Sequence, residues 1–292
     1  MIATLGMFDG LHLGHQKILT RMQELKQQHN NARAVVVSFY PHPDTILKKA
    51  AKIDRLTNAR QMLGVLRGFN IDVLYLVRFT AATSSLSAGG FIDECLFEKL
   101  NTGTLVLGED ARFGKGGQGD PQFVADYFNR FGKSVEIVNF FKTADQKVSS
   151  SIVRALLTEG KLAAVEALLG RHYSVEGRVV HGSGRGGPLG TPTANLKPTG
   201  KVLPKNGVYA TYVHLRGERF RAATNVGVRP TFNAPELCVE SLLIDYSGAS
   251  FYGAHIEVEF VERIRDEIKF PSLEQLRQRI LKDVAAAGKI LA

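Results

Sequence analysis

The chain has 292 residues, about twice the size of a usual domain, so two domains are expected. Hydrophobic residues make up 44% and charged residues 22% of the sequence, a composition that excludes a disordered chain. The longest apolar runs are too short to cross a bilayer, which excludes a membrane-spanning protein. The formal net charge of +9 favours anionic partners, either nucleic acid or phosphorylated small molecules.

Cysteine content and charge distribution indicate the cellular compartment and the kinds of partner to expect. Cys95 and Cys238 are the only cysteines, too few and too distant for a disulfide framework, so a cytoplasmic protein is expected. The first ten residues contain no lysine or arginine and lack the regions of a secretory signal. The one dense basic run, Lys48, Lys49 and Lys52, is typical of a solvated face. We therefore expect neither a nucleic-acid partner nor a membrane partner.

Up to about residue 170, short apolar runs alternate with amphipathic stretches. Strand and helix in alternation predict a doubly wound α/β domain, in which helices cover both faces of a parallel sheet. We therefore expect a first domain at residues 1–170. Its predicted strands are residues 2–5, 34–39, 71–79, 104–107 and 135–141, and its predicted helices are residues 17–28, 59–67, 91–100 and 123–131.

Residues 151–170 predict two short linking helices that end at Gly170, placed like a C-cap, and that form a hinge. Beyond them the hydrophobic period changes to two, and glycine- and proline-rich turns separate the runs, which predicts an antiparallel barrel or sandwich at residues 171–292. A final helix is expected from Ser272, which can form a capping box with Gln275, to about residue 290. The predicted strands are residues 173–181, 207–215, 220–226, 238–246 and 255–261.

The stretch GMFDGLHLGH, residues 6–15, follows the first predicted strand. Gly6, Gly10 and Gly14 allow the backbone to approach a phosphate, and the helix that follows directs unpaired N–H groups at it. His12 and His15 are three residues apart and can share one helix face, where they would stabilise charge on a phosphate. A tight glycine turn with structural histidines is an alternative. A metal pair is another, although only the neighbouring Asp9 offers a third ligand.

Three more segments follow predicted elements of the first half. SSSIVR, residues 149–154, can cap a helix and present an arginine to phosphate oxygens, or be an N-cap alone. GEDARFGKGGQGD, residues 108–120, is either a binding loop or a polar surface loop. SFYPHP, residues 38–43, carries prolines that can simply end a strand.

The second half has two notable features. HGSGRGGPLGTPTANL, residues 181–196, is rich in glycine but lacks the GxxxxGK pattern of a P-loop, so a flexible loop is an alternative. Glu240 is the only charge in its strand before Asp245 and shares a face with Leu242 and Ile244. A carboxylate among apolar neighbours is costly unless paired, which makes it a candidate functional group; a strand-edge glutamate facing water is the alternative.

The first half resembles the flavin-adenylylating branch of the HxGH nucleotidylyltransferases, whose GxFDGxHxGH, SSTxIR, GxDFxFGxxxxGD and TFxPHP motifs match the segments above. The resemblance implies that a phosphate nucleophile attacks the α-phosphate of ATP and releases pyrophosphate, without a covalent enzyme intermediate. It implies catalytic roles for His12, His15 and Arg154. It further implies nucleotide contacts from Gly6, Phe8, Asp9, Gly10, Gly14, Ser149, Ser150 and Ser151, and flavin contacts from His42, Asp110 and Phe113.

The second half resembles riboflavin kinases, small six-stranded barrels with a PTAN signature. The resemblance implies that Thr193 and Asn195 hold Mg²⁺ with ATP, which suits their oxygen donors, and that Glu240 accepts the proton of the ribityl terminal hydroxyl. The motifs NGVYA, TNVGVRPTF, FYGAHIEVEF and RDEIKF follow in the family's order. The implied nucleotide contacts are Gly182, Arg185 and Gly190, and the implied flavin contacts are Arg265 and Glu267, in a loop that covers the isoalloxazine.

Together these matches cover almost the whole chain and resemble the bifunctional bacterial riboflavin kinase/FAD synthetase family. The implied substrates are riboflavin, FMN and ATP, with Mg²⁺, and the implied products are FMN and FAD. Ala111 and Thr191 stand where the family has aromatic residues, which predicts weaker stacking on the flavin. A nucleotidylyltransferase for another phosphate ester and a regulatory flavin or RNA binder without turnover remain alternatives.

Overall fold

The internal contacts of the chain divide it into two units, Met1–Ser150 and Ser151–Ala292. Within the part of the chain described here, no helix is long and apolar enough to cross a membrane. The computed structural model describes residues 1–29, 32–47, 53–139, 141–143, 146–181, 193–198, 200–229, 236–248 and 250–292.

The first unit contains a parallel five-stranded sheet with the strand order β3-β2-β1-β4-β5, which confirms the predicted doubly wound α/β fold. The strand order reverses between β1 and β4, so the loops that follow these two strands border the crevice where such folds bind ligands. The strands are β1 (Ile2–Leu5), β2 (Ala34–Tyr40), β3 (Val73–Arg78), β4 (Thr104–Gly108) and β5 (Ser134–Val138).

Alternating side chains of the central strands face two separate cores. Ala3 and Leu5 of β1 pack in one core, whereas Ile2 packs in the other, so both faces of the sheet are covered. The predicted single helix at 91–100 is instead a short helix continued by a π-helix, Ile92–Lys99. The helices are α1 (Leu13–Gln28), α2 (Pro43–Leu47), α3 (Ala59–Gly68), α4 (Ala81–Ser84), α5 (Ala88–Phe91) and α6 (Pro121–Asn129), followed by the hairpin strands β6 (Lys142–Thr143) and β7 (Gln146–Lys147).

The linking helices are α7 (Ser150–Glu159), whose first residue ends the first unit, and α8 (Leu162–Leu169), and the second unit begins at Ser151. The boundary expected from the sequence, at residue 170, lies later than the division between the units. The contacts group the helices with the second unit because the Lys205 amide donates to the Leu157 carbonyl and α8 packs on two strands of the second unit, Tyr173–Val180 and His255–Arg265. Gly170 has φ 68° and ends α8, as its predicted C-cap position required.

The strands of the second unit form a closed antiparallel barrel, which resolves the choice between barrel and sandwich. Buried hydroxyls of Thr211, Thr224 and Ser241 form a hydrogen-bonded chain at 2.6 and 2.8 Å, so these residues face the barrel interior. In the barrel order β10-β11-β12-β9-β8-β13, its elements are β8 (Tyr173–Val180), β9 (Thr193–Leu196), β10 (Gly207–Leu215), β11 (Glu218–Arg229), β12 (Glu236–Leu243) and β13 (His255–Arg265).

Helix α9 (Leu273–Ile290) packs on the outer face of the barrel, where Ala210 and Ala223 contact it. Ser272 is its N-cap as predicted, since the Gln275 amide donates to the Ser272 hydroxyl at 3.3 Å, and this bond is one half of the predicted capping box. Strand β9 was not among the predicted strands, because its four residues are too few to establish a period.

Candidate active sites

The loop between β1 and α1 has an unusual backbone. Phe8, Gly10 and Leu11 have φ values of 49°, 86° and 41°. Left-handed backbone is rare for phenylalanine and leucine and persists only where packing fixes it. Phe8 and Leu11 are fully buried, at 1% and 0% exposure, so their side chains fix this turn. The turn therefore holds residues 6–15 at the switch point of the sheet.

Asp9 and Thr57 tie this loop to the segment before α3. The Asp9 carboxylate accepts hydrogen bonds from the backbone amides of Leu56 at 3.2 Å and Thr57 at 3.0 Å. In return, the Gly10 amide donates to the Thr57 hydroxyl at 2.8 Å. Asp9 and Thr57 are both buried. We define these hydrogen bonds as the Asp9–Thr57 clamp. The sequence offered no signal for it, since the two segments lie far apart in the chain.

His12 is the N-cap of α1, and its Nδ1 accepts a hydrogen bond from the His15 amide at 3.3 Å. Nδ1 therefore carries no proton here, and the proton of the neutral ring lies on Nε2. The rings of His12 and His15 stack with centroids 3.7 Å apart and planes 17° apart. A Cβ on Gly14 would lie 3.1 Å from the His12 ring, so a glycine at this position gives the ring its space.

His15 is held in its neutral form. Burial, followed by the neighbouring His12, lowers the pKa of His15 well below its ordinary value. Its ring also packs on Phe8, with centroids 4.9 Å apart. Within the residues described, its buried Nδ1 has no hydrogen-bond partner. A neutral imidazole with an unsatisfied buried nitrogen fits a site for a polar ligand group.

A metal site does not fit this pair. The Asp9 carboxylate, the one nearby third ligand, faces the amides of Leu56 and Thr57. Among the residues that the structure describes, no group of three or more His, Cys, Asp or Glu side chains is arranged to hold a metal ion. The histidine pair is therefore arranged for hydrogen bonding and not for metal ligation.

The loop after β4 is anchored by Phe113. The Phe113 side chain packs in the first core, 5.7 Å from the Phe91 ring centroid, and is 7% exposed. Its backbone exchanges hydrogen bonds with Gly119 at 3.2 and 2.9 Å. Asp110 is exposed at the same loop, and Ala111 packs partly buried against the core. Phe113 thus supports the loop from below, whereas Asp110 faces the surface.

The remaining predicted residues of the first unit occupy turns. His42 accepts a hydrogen bond at Nδ1 from the Asp44 amide at 3.2 Å. Ser150 donates from its hydroxyl to the Asp9 carbonyl at 2.8 Å, which brings it to the first loop, and the half-buried Ser149 precedes it. A Cβ on Gly6 would lie 3.3 Å from the Phe8 ring.

Two predicted residues of α7 belong to the second unit. Ser151 is exposed and Arg154 is half-buried, in the first turns of the helix. Gly182, Arg185 and Gly190, together with Thr191 and the run Lys48, Lys49 and Lys52, lie outside the described residues.

A row of polar side chains crosses the outer face of the barrel. Glu240 of β12 lies directly opposite Asn195 of β9 and opposite Asn225 of β11. Directly opposite residues in antiparallel strands share a face. Their neighbours Ser241 and Thr224 face the interior, so this row faces outward. Thr193 shares the face, two residues from Asn195.

The structure therefore brings together the three residues that the sequence singled out in the barrel, Thr193, Asn195 and Glu240. Asn195 is buried and Glu240 is half-buried. Asn225 was missed, because a period of two identifies a face but not the partner across the sheet.

Arg265 lies in a buried ion pair. Its guanidinium donates to both carboxylate oxygens of Asp283 on α9, at 2.6 to 3.1 Å, and the two side chains are 12% and 6% exposed. Arg265 thus joins the end of β13 to α9, and its contact with a flavin stays a prediction. Glu267 follows it, and its carboxylate occupies the space that a Cβ on Gly227 would fill.

Comparisons with known proteins match both halves of the chain. The family model for FAD synthetase matches residues 1–152, and the model for riboflavin kinase matches residues 169–291. The bifunctional riboflavin kinase/FMN adenylyltransferase of Haemophilus influenzae is 36% identical over 285 residues, which cover 97% of this chain and 92% of the relative. The protein of that name from Bacillus subtilis is 34% identical over 288 residues, which cover 97% and 90%.

A solved structure shares the fold along nearly the whole length. It is a crystal structure of a protein named macrolide-efflux protein from Streptococcus pneumoniae, with a TM-score of 0.87 and 29% identity. The match covers 98% of this chain and 93% of that chain. Two family models in the expected order and full-length relatives above 30% identity lead to one conclusion: this chain belongs to the family of bifunctional riboflavin kinase/FMN adenylyltransferases.

Proposed function

We propose that the second unit phosphorylates riboflavin with ATP to give FMN, and that the first unit adenylylates FMN to give FAD and pyrophosphate. The observation that carries this proposal is the strand register that brings Thr193, Asn195 and Glu240 to one face of the barrel. The relatives' names and the two family models support it.

In the kinase reaction, Glu240 accepts the proton of the ribityl terminal hydroxyl as that oxygen attacks the γ-phosphate of ATP, with ADP leaving. The half-buried Glu240 shares its face of the barrel with Leu242 and is paired in register with Asn195 and Asn225. Phosphoryl transfer needs mainly positioning and charge stabilisation, so a half-buried carboxylate on a barrel strand suits the step.

Mg²⁺ fits the donor set at this face. The Thr193 hydroxyl and the Asn195 amide, at alternate positions of β9, would supply oxygen ligands to Mg²⁺, and water and phosphates would supply the rest. When bound, Mg²⁺ would neutralise charge on the ATP phosphates. Gly182, Arg185 and Gly190 are proposed to contact the same nucleotide.

In the adenylylation, a phosphate oxygen of FMN attacks the α-phosphorus of ATP, and the bond to pyrophosphate breaks. His12 and His15 bind the phosphates at the N-terminus of α1, where the helix dipole also favours negative charge. His15 is neutral because its pKa is lowered, so it acts as a hydrogen-bond donor and acceptor and adds no charge. The hydrogen bonds from the two histidines, together with the helix dipole, provide the electrostatic stabilisation that the step needs.

The other predicted residues of the first site have separate proposed roles. Gly6, Gly10 and Gly14 shape the loop, and Phe8 and Asp9 hold its turn. Ser149, Ser150, Ser151 and Arg154 are proposed to contact the nucleotide, and His42 and Asp110 the flavin. Phe113 is proposed to act on the flavin only through the loop it supports.

We propose that the protein works in the cytoplasm. Cys95 and Cys238 are both free and buried, and burial raises the pKa of the Cys95 thiol to about 11. Thiols of this kind suit a reducing compartment.

The test is a product assay. The protein is incubated with ATP, Mg²⁺ and either riboflavin or FMN, and flavins are separated by chromatography. We expect both FMN and FAD from riboflavin. Glu240→Gln should abolish FMN formation and leave the conversion of supplied FMN to FAD unchanged. The control is Glu218→Gln, an exposed glutamate at the start of β11, which should change neither step.

Two results would overturn the assignment. If the wild-type protein forms no FMN or FAD but releases pyrophosphate from ATP with another phosphate ester, the first unit serves a different substrate. If Glu240→Gln still phosphorylates riboflavin at the wild-type rate, Glu240 is not the base.

A further inference from the structure

Gly227 lies beneath the loop that follows β13, which we define as the covering loop, residues 266–271. We propose that Gly227 is a seat for the Glu267 side chain, and that this seat holds the covering loop over the kinase site and thereby sets the affinity for riboflavin. The inference rests on the proposed kinase function.

The side chain of Glu267 fills space that only a glycine leaves open. The Cδ of Glu267 lies 3.1 Å from the position that a Cβ on Gly227 would take, and its Oε1 lies closer still. The Nδ2 of Asn225 lies 3.2 Å from the same position. Gly227 lies within a regular strand and outside the positive-φ residues, so its backbone does not require glycine. A Cβ at this position would displace the Glu267 carboxylate from the place that it occupies.

The seat lies next to the polar row on the outer face. Gly227 follows Asn225 by two residues on β11, so both face outward, about 7 Å apart along the strand. Asn225 is directly opposite Glu240. Glu267, which lies against Gly227, is therefore next to the polar row that contains the proposed base.

Both ends of the covering loop are fixed by other contacts. Asp266 accepts a hydrogen bond from Arg263 at 2.7 Å, next to the ion pair between Arg265 and Asp283. Ser272 follows the loop and caps α9. Between these ends, Glu267 lies against Gly227 and the Phe270 ring lies 5.9 Å from the Arg265 guanidinium. The exposed Glu267 carboxylate can accept hydrogen bonds from the hydroxyl and N–H groups of a flavin.

A double-mutant cycle tests the seat. The variants are Gly227→Ala, Glu267→Ala and the double variant, and the control is Gly288→Ala, a helical glycine whose added Cβ would meet nothing within 4 Å. Riboflavin binding is measured by quenching of flavin fluorescence, and KM and kcat are measured for FMN formation. Thermal melting verifies folding, and conversion of FMN to FAD serves as an internal reference.

Each single variant should raise the Kd and KM for riboflavin roughly tenfold, whereas the double variant should be no worse than Glu267→Ala alone. The kcat for FAD formation and the behaviour of Gly288→Ala should stay at wild-type values. Additive losses, or unchanged binding in Gly227→Ala, would overturn the seat. A wild-type protein that neither binds nor phosphorylates riboflavin would refute the proposed function instead.

A second readout does not depend on Gly227→Ala folding. Trypsin cleavage after Lys269, in the covering loop, should be faster in Glu267→Ala than in the wild type. Riboflavin should slow it in the wild type only. Equal cleavage rates in the two proteins would also overturn the seat.

Discussion

Replacing Thr57 by valine should impair FAD formation without affecting FMN formation. Valine has nearly the same shape but lacks the hydroxyl that accepts the Gly10 amide at 2.8 Å. The amides of Leu56 and Thr57 can still donate to Asp9, so two of the three hydrogen bonds of the Asp9–Thr57 clamp remain. The variant therefore isolates one hydrogen bond of the loop that carries His12 and His15.

The magnitude follows from burial. Thr57 is 2% exposed, so water has little access to the Gly10 amide from that side. Losing one partner of a buried hydrogen bond costs about 1–3 kcal/mol of stability. A shift of the loop by even a fraction of an ångström would misplace the histidines, and misplacement on the scale of 1 Å reduces a rate by up to about a hundredfold. We expect kcat for FAD formation to fall by roughly tenfold to a hundredfold.

The assay measures FAD formation from supplied FMN and FMN formation from riboflavin on one protein preparation. Thr57→Ser retains the hydroxyl and loses only a methyl group, so it is the matched control and should keep most of the activity. If Thr57→Val adenylylates FMN as fast as Thr57→Ser does, the hydroxyl does not position the loop. If both reactions fall together in Thr57→Val, the effect is a loss of folding.

Three further predictions concern glycine, an ion pair and pH. Gly14→Ala places a Cβ 3.1 Å from the His12 ring, so kcat for FAD formation should fall about tenfold while riboflavin phosphorylation, measured in parallel, is unchanged. Asp283→Ala leaves the Arg265 cation buried without this partner and should lower the free energy of unfolding by about 3–5 kcal/mol in urea titrations. The pKa of His15 is lowered in the folded state, so its contribution to stability is present above its ordinary pKa and is lost as the pH falls toward the folded value. The free energy of unfolding of the wild type, measured by urea titration, should therefore fall below about pH 6.5. The decline should be smaller in His15→Asn.

Much of the fold followed from local patterns. Residues 2–5 and 104–107 were predicted strands because short apolar runs between amphipathic stretches indicate a buried parallel sheet, and the structure confirms them to within a residue. Five of the six barrel strands followed from a period of two, and β9 was too short to show one. The pattern could not decide between barrel and sandwich, because closure depends on which strands pair at the edges, and pairing is not a local property.

Some of the predicted site residues have protein partners that the sequence did not indicate, because those partners lie in other elements of the fold. Phe113 carries an aromatic ring in a loop of the predicted flavin site, yet the ring packs on Phe91 from α5. Arg265 offers a planar cation, yet Asp283, 18 residues later, takes its hydrogen bonds. A motif gives the chemical type of a residue, whereas the fold determines which neighbours its side chain packs on or forms hydrogen bonds with.

The glycines of residues 6–15 illustrate the same difference within one motif. The sequence predicted that three glycines let the backbone approach a phosphate. The structure gives them additional roles, since the space at Gly6 is next to the Phe8 ring, the space at Gly14 is next to the His12 ring, and Gly10 supplies a φ of 86°. The stacked histidines need that space, because their ring centroids are only 3.7 Å apart. Any residue larger than glycine at position 14 would therefore act on the proposed phosphate site through His12, even without contacting a nucleotide.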